Sequence, residues 1–272
     1  MAGLRRWIGT SLAYVLARRW FQPVAEGLYQ AALLGQNIGV GDYVATSGEQ
    51  NALRVAARLL PAQPARVVFD VGANEGDFAR AALAQLGPTT RVLAFEPAPP
   101  TFDRLAQAFQ GNPQVALYQL GLSDAPGDRA LYSDGHDSGM ASVYQRDLTA
   151  QGRVLDQVAT VAITTLDAFC AEQQISHIDY LKLDVEGHEY SVLRGAQQLL
   201  AAGAIEMIQL EFGGCAIDAR VFWRDLYQLL NDRYRLYRIL QAGLAYLPHY
   251  SERQEVFVTT NFLAIARKWP RV

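Results

Sequence analysis

The stretch Val67-Val-Phe-Asp-Val-Gly-Ala-Asn-Glu-Gly-Asp-Phe78 constrains the fold more than any other part of the chain. A short apolar run with two β-branched valines predicts a strand, a glycine-bearing turn follows, and Phe78-Ala-Arg-Ala-Ala-Leu-Ala-Gln-Leu86 predicts a helix. Strand, tight loop and helix in that order aim a helix N-terminus at whatever the loop holds.

Two ligands compete for such a loop. A dinucleotide site wants G-x-G-x-x-G, so that backbone N–H groups face a pyrophosphate. Here Gly72 and Gly76 are separated by Ala73-Asn74-Glu75, and the third glycine is missing. Asp70, Glu75 and Asp77 place three carboxylates in or beside the loop, and no Lys or Arg appears before Arg80, so a pyrophosphate would meet like charge. S-adenosylmethionine has no phosphate, carries a sulfonium and an ammonium group, and offers one carboxylate to the loop N–H groups. The acidity therefore favours S-adenosylmethionine, held at a methionine-binding corner made by Asp70, Gly72, Asn74 and Gly76.

Val92-Leu-Ala-Phe-Glu-Pro97 predicts a second strand ending in a carboxylate. Glu96 lies 24 positions after Gly72, where an α/β nucleotide fold places an acid for the ribose hydroxyls. That spacing serves a nicotinamide dinucleotide and S-adenosylmethionine equally.

Composition excludes some classes. With 24 basic and 27 acidic residues and a net charge of −3, the chain has no electrostatic footprint for tracking nucleic acid. Its two cysteines, Cys170 and Cys215, form no C-x-x-C pair, and its four histidines have no H-x-x-x-H spacing, so neither a disulfide framework nor a metal site is expected. Two buried thiols suit a reducing cytoplasm. Half of the 272 residues are hydrophobic, enough for a substantial core.

From Leu4 to Phe21, apolar residues at helical spacing lie between arginine pairs, Arg5-Arg6 and Arg18-Arg19. A helix packed on the body is the favoured reading, ahead of a membrane-surface helix and of an export signal. Val24 to Thr46 has no clear assignment. Ser47-Gly-Glu-Gln50 has a capping-box pattern opening a helix that stops before Pro61, and a plain cap is favoured over a role in covering a cofactor.

Further on, Thr101 to Phe109 predicts a helix and Val115 to Leu120 a third strand, with Gly121-Leu-Ser-Asp124 directly after it. From Asp128 to Thr165 the β-α alternation lapses into two strands, Ala130–Tyr132 and Ala159–Thr164, with loop between them, an insertion expected to cover the acceptor side. His136 and Asp137 could supply a base there, although a solvated loop histidine is the commoner outcome. Ile178 to Asp184 predicts a fourth parallel strand, and Val185-Glu-Gly-His-Glu-Tyr190 leads into a helix. Met207 to Glu211 is a fifth strand ending in an acid, and Tyr234–Leu240 with Asn261–Ala266 completes the count as a closing antiparallel hairpin.

Phe69-Asp-Val-Gly-Ala-Asn-Glu-Gly76, Phe95-Glu-Pro97 and Leu181-Lys-Leu-Asp-Val-Glu-Gly-His-Glu189 together resemble the FkbM family of S-adenosylmethionine-dependent methyltransferases. The resemblance covers roughly residues 47 to 267 and implies an α/β fold. That fold is a seven-stranded, mostly parallel Rossmann-like methyltransferase sheet with helices on both faces, preceded by residues 1–46, outside the resemblance, which are expected to form an N-terminal helical extension. It implies that Leu122 stacks on adenine with Ser123 or Asp124 polar beside it. It also implies methyl transfer to a hydroxyl of a sugar, glycan or natural-product small molecule. Asp184 is the first candidate for base or acceptor-orienting group, His188 the second, and Glu186 accompanies them. A nicotinamide-dependent oxidoreductase and a non-catalytic cofactor-binding protein remain as alternatives.

Overall fold

A computed structural model describes residues 14, 16–40, 44, 46–61, 65–135 and 139–272. The helix expected over Leu4–Phe21 lies largely outside them, as do His136 and Asp137. After a 3-10 turn at Arg19–Phe21 comes α1 (Gln22–Gly35), in a stretch whose local pattern supports no assignment. Then follow α2 (Glu49–Leu59), β1 (Arg66–Val71), α3 (Asp77–Leu86), β2 (Thr90–Phe95), α4 (Pro99–Ala108), β3 (Val115–Tyr118), β4 (Gly121–Leu122), β5 (Gly127–Ser133) and β6 (Gln157–Thr164). The second half contains α5 (Leu166–Glu172), β7 (Ile178–Leu183), α6 (Glu189–Arg194), α7 (Gln197–Ala202), β8 (Ile205–Phe212), α8 (Cys215–Ala219), α9 (Trp223–Leu230), β9 (Tyr234–Leu240), β10 (Gly243–Leu247) and β11 (Thr260–Ala266).

All seven expected strands are present in one sheet, and an eighth joins them: the order is β10-β9-β11-β8-β7-β1-β2-β3. From β3 to β8 the pairing is parallel, and the remaining pairs are antiparallel. The expected closing pair, β9 and β11, does pair antiparallel, but β10 turns back from β9 before the chain reaches β11. The half-buried residues of β10 lack a clean alternation, which is why the sequence did not show it. Between Asp128 and Thr165 the two expected strands extend to β5 and β6, which pair along seven residues in a separate sheet with β4.

Alternation along the strands divides the core. Phe69, Phe95, Leu181, Leu183 and Ile208 face α5, α6, α7 and α9. Val68, Val92, Tyr180 and Met207 face α2, α3 and α4. A parallel sheet covered on both sides buries both faces of each strand, hence the runs of apolar residues in β1, β2, β7 and β8.

One expectation fails locally. The capping box is not completed: Gly48, at φ 88°, is the N-cap residue, and although the Ser47 hydroxyl accepts from the Glu49 N–H at 3.3 Å, it donates to Glu49 Oε2 at 2.8 Å and Gln50 does not reach back. Glu49 turns inward, where its Oε1 accepts from Gln209 Nε2 at 2.6 Å, so burial against the sheet wins over end-capping.

Candidate functional site

Strand register assembles the site. Tyr118, Phe95, Val71, Leu183 and Leu210 form one row across the parallel strands. The next residues on four of them, Glu96, Gly72, Asp184 and Glu211, therefore share the carboxyl edge of the sheet. The chain leaves β1 toward β2 on one side and reaches β7 on the other, so the order reverses between β1 and β7, where α/β sheets open a ligand crevice.

Gly72 is required at this crossing. Its φ is +78°, and a Cβ there would lie 1.8 Å from the carbonyl oxygen of Asp184. The Gly72 and Ala73 N–H groups donate to Phe95 O at 3.0 and 2.9 Å, tying the loop to β2. Asn74, at φ 47°, donates its N–H to Glu96 Oε2 at 3.0 Å, and Ala98 N–H donates to Glu96 Oε1 at 2.9 Å. Burial pushes the Glu96 carboxyl up to about 7, partly offset by those two bonds.

A cleft runs along this edge, lined among others by Gly72, Asn74, Glu96, Leu122, Asp184, Glu186 and His188. Leu131, Ser133, Gly135, Gly139, Ala141 and Val143, from the stretch between β4 and β6, form its other wall. A smaller hollow on the far side of Gly72 is lined by Glu49, Asn74, Lys182 and Asp184, so Asp184 faces both.

The remaining residues expected at the site do not line the cleft. Asp70 is fully buried beneath the loop, 3.5 Å from Lys182 Nζ, and burial raises its carboxyl to about 6 against the pull of that ammonium. Gly76 packs on Phe109 and Leu105, where a Cβ would clash. Ser123 is buried behind Leu122, and exposed Asp124 faces Arg129 at 3.7 Å. Sequence motifs indicated these positions, but for Asp70 the alternation of β1 points its side chain away from the cleft that Val71 lines.

His188 is the hub of a hydrogen-bonded chain: its Nε2 lies 2.8 Å from Ser123 Oγ and its Nδ1 3.0 Å from Tyr144 OH. Burial pushes the imidazole down to about 4, with Arg129 adding to the effect, so it is neutral near pH 7. Glu186, at φ 53°, pairs with the Arg146 guanidinium, whose Nε also lies 3.7 Å from Asp218. Burial raises the Glu186 carboxyl to about 7, with the Asp184 charge adding to the rise and Arg146 opposing it. Asp184 Oδ2 receives Lys182 Nζ at 3.2 Å.

Sequence reading missed Tyr144, Arg146, Lys182, Glu49 and Glu211 as neighbours of the site. Glu211 carried a signal, a strand-end acid, and Lys182 lies two residues from Asp184 in the same motif, whereas Tyr144, Arg146 and Glu49 meet the site only through long-range folding. Asp184, Glu186 and Glu211 each bring a carboxylate oxygen within 4.8 Å of the other two, a grouping the histidine and cysteine spacing did not show. An ion there would compete with Arg146 for Glu186.

The site suits S-adenosylmethionine on its own chemistry. Glu96 offers a buried carboxylate at the ribose position, Leu122 an apolar wall, and the acid-rich edge around Asp184 and Glu186 complements a sulfonium cation. The doubly covered α/β sheet with this crevice is the architecture of an enzyme that holds an adenosine-bearing cofactor. The model of the methyltransferase FkbM domain matches residues 70–239, more than half of the chain, and the chain belongs to that family.

The chain is similar to several characterised proteins. Hexuronic acid methyltransferase AglP of Haloferax volcanii is 28% identical over 186 residues, 68% of this chain and 69% of that protein. The 31-O-demethyl-FK506 methyltransferase FkbM of Streptomyces tacrolimicus is 30% identical over 161 residues, covering 50% of this chain and 61% of that one. AMB antimetabolite synthetase AmbE of Pseudomonas aeruginosa is 32% identical over 179 residues, 54% of this chain but only 8% of that much longer protein. An O-methyltransferase from Bacillus cereus in complex with SAH aligns with a TM-score of 0.43 at 11% identity, covering 95% of this chain and 96% of that one.

Proposed function

We propose that the protein transfers the methyl group of S-adenosylmethionine to an oxygen, the hydroxyl of a sugar, glycan or natural-product small molecule. The observation that carries this reading is the convergence of Asp184, Glu186 and His188 on the cleft that Gly72, Asn74, Glu96 and Leu122 also line. The names of two relatives, a hexuronic acid methyltransferase and a 31-O-demethyl-FK506 methyltransferase, support an oxygen acceptor on a sugar or natural product.

The cofactor supplies an electrophilic methyl group on a sulfonium. The chain must then hold the acceptor oxygen in line, a proximity effect worth about 7–11 kcal/mol, and take its proton as the bond forms, worth about 10²–10⁴ in rate. Asp184 is the group that takes the proton, since it lines the cleft, is part-exposed, and has one oxygen fixed by Lys182. His188 is poorly placed for it, because both ring nitrogens are engaged by Ser123 and Tyr144 and the ring binds a proton only well below neutral pH. It positions the cleft wall. Glu186, held by Arg146, places a second carboxylate beside Asp184.

Methyl transfer measured as S-adenosylhomocysteine release across a panel of sugars, glycans and hydroxylated natural products tests the reading. Asp184→Asn is expected to lower kcat at least about 10²-fold with cofactor affinity changed far less. Transfer only to nitrogen or sulfur acceptors, or undiminished turnover in Asp184→Asn, would overturn it.

A further inference from the structure

The helix α1 leaves its apolar stripe uncovered. At 100° per residue, Val24, Leu28, Ala31 and Leu34 fall within one arc, with Trp20 of the preceding turn continuing it. All five are exposed, Trp20 by 70%, Leu28 by 62% and Leu34 by 57%. Gln22, Glu26, Tyr29 and Gln30, all exposed, occupy the opposite arc together with Leu33, the one buried side chain of the helix. A helix that merely packs on a core buries its apolar stripe, whereas α1 touches the body essentially through Leu33 and leaves its apolar stripe, like most of its other side chains, open.

Charge says what covers that face. Between Leu4 and Gly35 the sequence has four arginines, Arg5, Arg6, Arg18 and Arg19, against a single acid, Glu26, although the chain as a whole is net negative. Arg18 and Arg19 are exposed at the start of the apolar arc. A second copy of the same helix would bring cations and apolar groups but almost no counter-charge. An anionic lipid surface supplies both an apolar layer and negative charge.

The location adds to this. Gln36 accepts from Arg238 Nη1 at 2.6 Å, Asn37 donates to Ser47 O at 2.7 Å and Ile239 O at 3.1 Å, and Gly39 N–H donates to Thr259 O at 2.8 Å. Thr260 pairs with Phe212 at the carboxyl end of β8, so α1 is anchored at the sheet edge that carries the cleft. Exposed apolar side chains continue along that edge: Val258 lies against Gly39, Phe222 packs edge-on against Phe257, and Ile217 follows β8.

We propose that α1 and this apolar edge form a peripheral membrane-binding face that seats the protein on anionic lipid with its cleft edge toward the bilayer. The proposal goes beyond the methyltransferase reading and is independent of the acceptor. No described helix is long and apolar enough to cross a membrane, so contact would be at the surface.

Flotation of the full chain with vesicles of phosphatidylcholine alone, or with about one third phosphatidylglycerol, tests it. The wild type is expected to float with anionic vesicles and not with neutral ones, and to be released by salt. Leu28→Asp with Val24→Asp should lower binding more than tenfold, and each of Arg18→Glu and Arg19→Glu at least about fivefold. Calorimetric titration with S-adenosylhomocysteine checks that every variant keeps its fold. Absence of wild-type binding to anionic vesicles, or binding untouched by the apolar substitutions in variants that still take up the ligand, would overturn the proposal. A dimer in light scattering that becomes monomeric in Leu28→Asp would assign the face to a second copy and equally overturn it.

Discussion

Single residues at the carboxyl edge carry most of the constraint. Gly72→Ala forces a Cβ onto the Asp184 carbonyl at a positive φ, and backbone cannot move aside as a flexible side chain would. A loss of roughly 2–4 kcal/mol in denaturant unfolding is expected, and a loss below about 0.5 kcal/mol would show that the loop relaxes away from β7. The buried acids give a pH signature. Glu189, whose Oε1 accepts from Val185 and Gly187 N–H groups, is pushed by burial up to about 8, and Asp70, Glu96 and Glu186 to about 6, 7 and 7. Because folding raises these values, the folded state binds more protons than the unfolded one between about pH 4.5 and 8, and their contribution to stability is lost as pH rises through that window. His188 acts oppositely between 6.5 and about 4, where the unfolded chain binds the extra proton. Four carboxyls outweigh one imidazole. The ligand-free protein is therefore expected to lose stability from about pH 5.5 to 8 in chemical unfolding, and Glu189→Gln should flatten that slope; a slope unchanged in Glu189→Gln would refute the assignment.

At the scale of elements, the excursion between β4 and β6 is what closes the cleft. It reaches the body through Ser142 Oγ, which donates to Glu186 O at 2.8 Å, through Tyr144 on His188, and through Arg146 on Glu186. Arg146 is the principal tie, since its side chain is only 10% exposed and that of Glu186 only 18%. Arg146→Ala leaves Glu186 without its cation and is expected to cost about 3 kcal/mol in stability. It should also lower methyl transfer at least tenfold while S-adenosylhomocysteine affinity stays within about threefold, because the proposed cofactor contacts lie at Gly72, Asn74, Glu96 and Leu122 rather than on the excursion. Equal losses in binding and turnover would mean that the excursion shapes the cofactor pocket itself. Sequence showed where this excursion begins and ends, because β-α alternation stops and resumes there. It could not show the ties, since Tyr144 and Arg146 meet their partners 44 and 40 residues away.

The proposed cofactor contacts lie at the ends of several separate strands, so occupancy should stabilise the complete fold. S-adenosylhomocysteine at a hundred times its Kd is expected to add about 2.7 kcal/mol, read as a rise of roughly 5–10 °C in the unfolding midpoint, and NADH should give none. A rise with NADH alone would return the dinucleotide reading. Local pattern by itself determined the strands of the parallel core, the glycine turn, the acid after β2 and the family, because apolar runs, turn residues and strand-end acids are written in contiguous stretches. Only the tertiary structure decided which of those acids face the cleft. Asp184, Glu186 and Glu96 line it, whereas Asp70, from the same family of motifs, lies beneath it against Lys182. Only the fold showed that α1 leaves its apolar arc uncovered. Both depend on register and on packing between residues far apart in the chain, and no contiguous stretch of sequence encodes them.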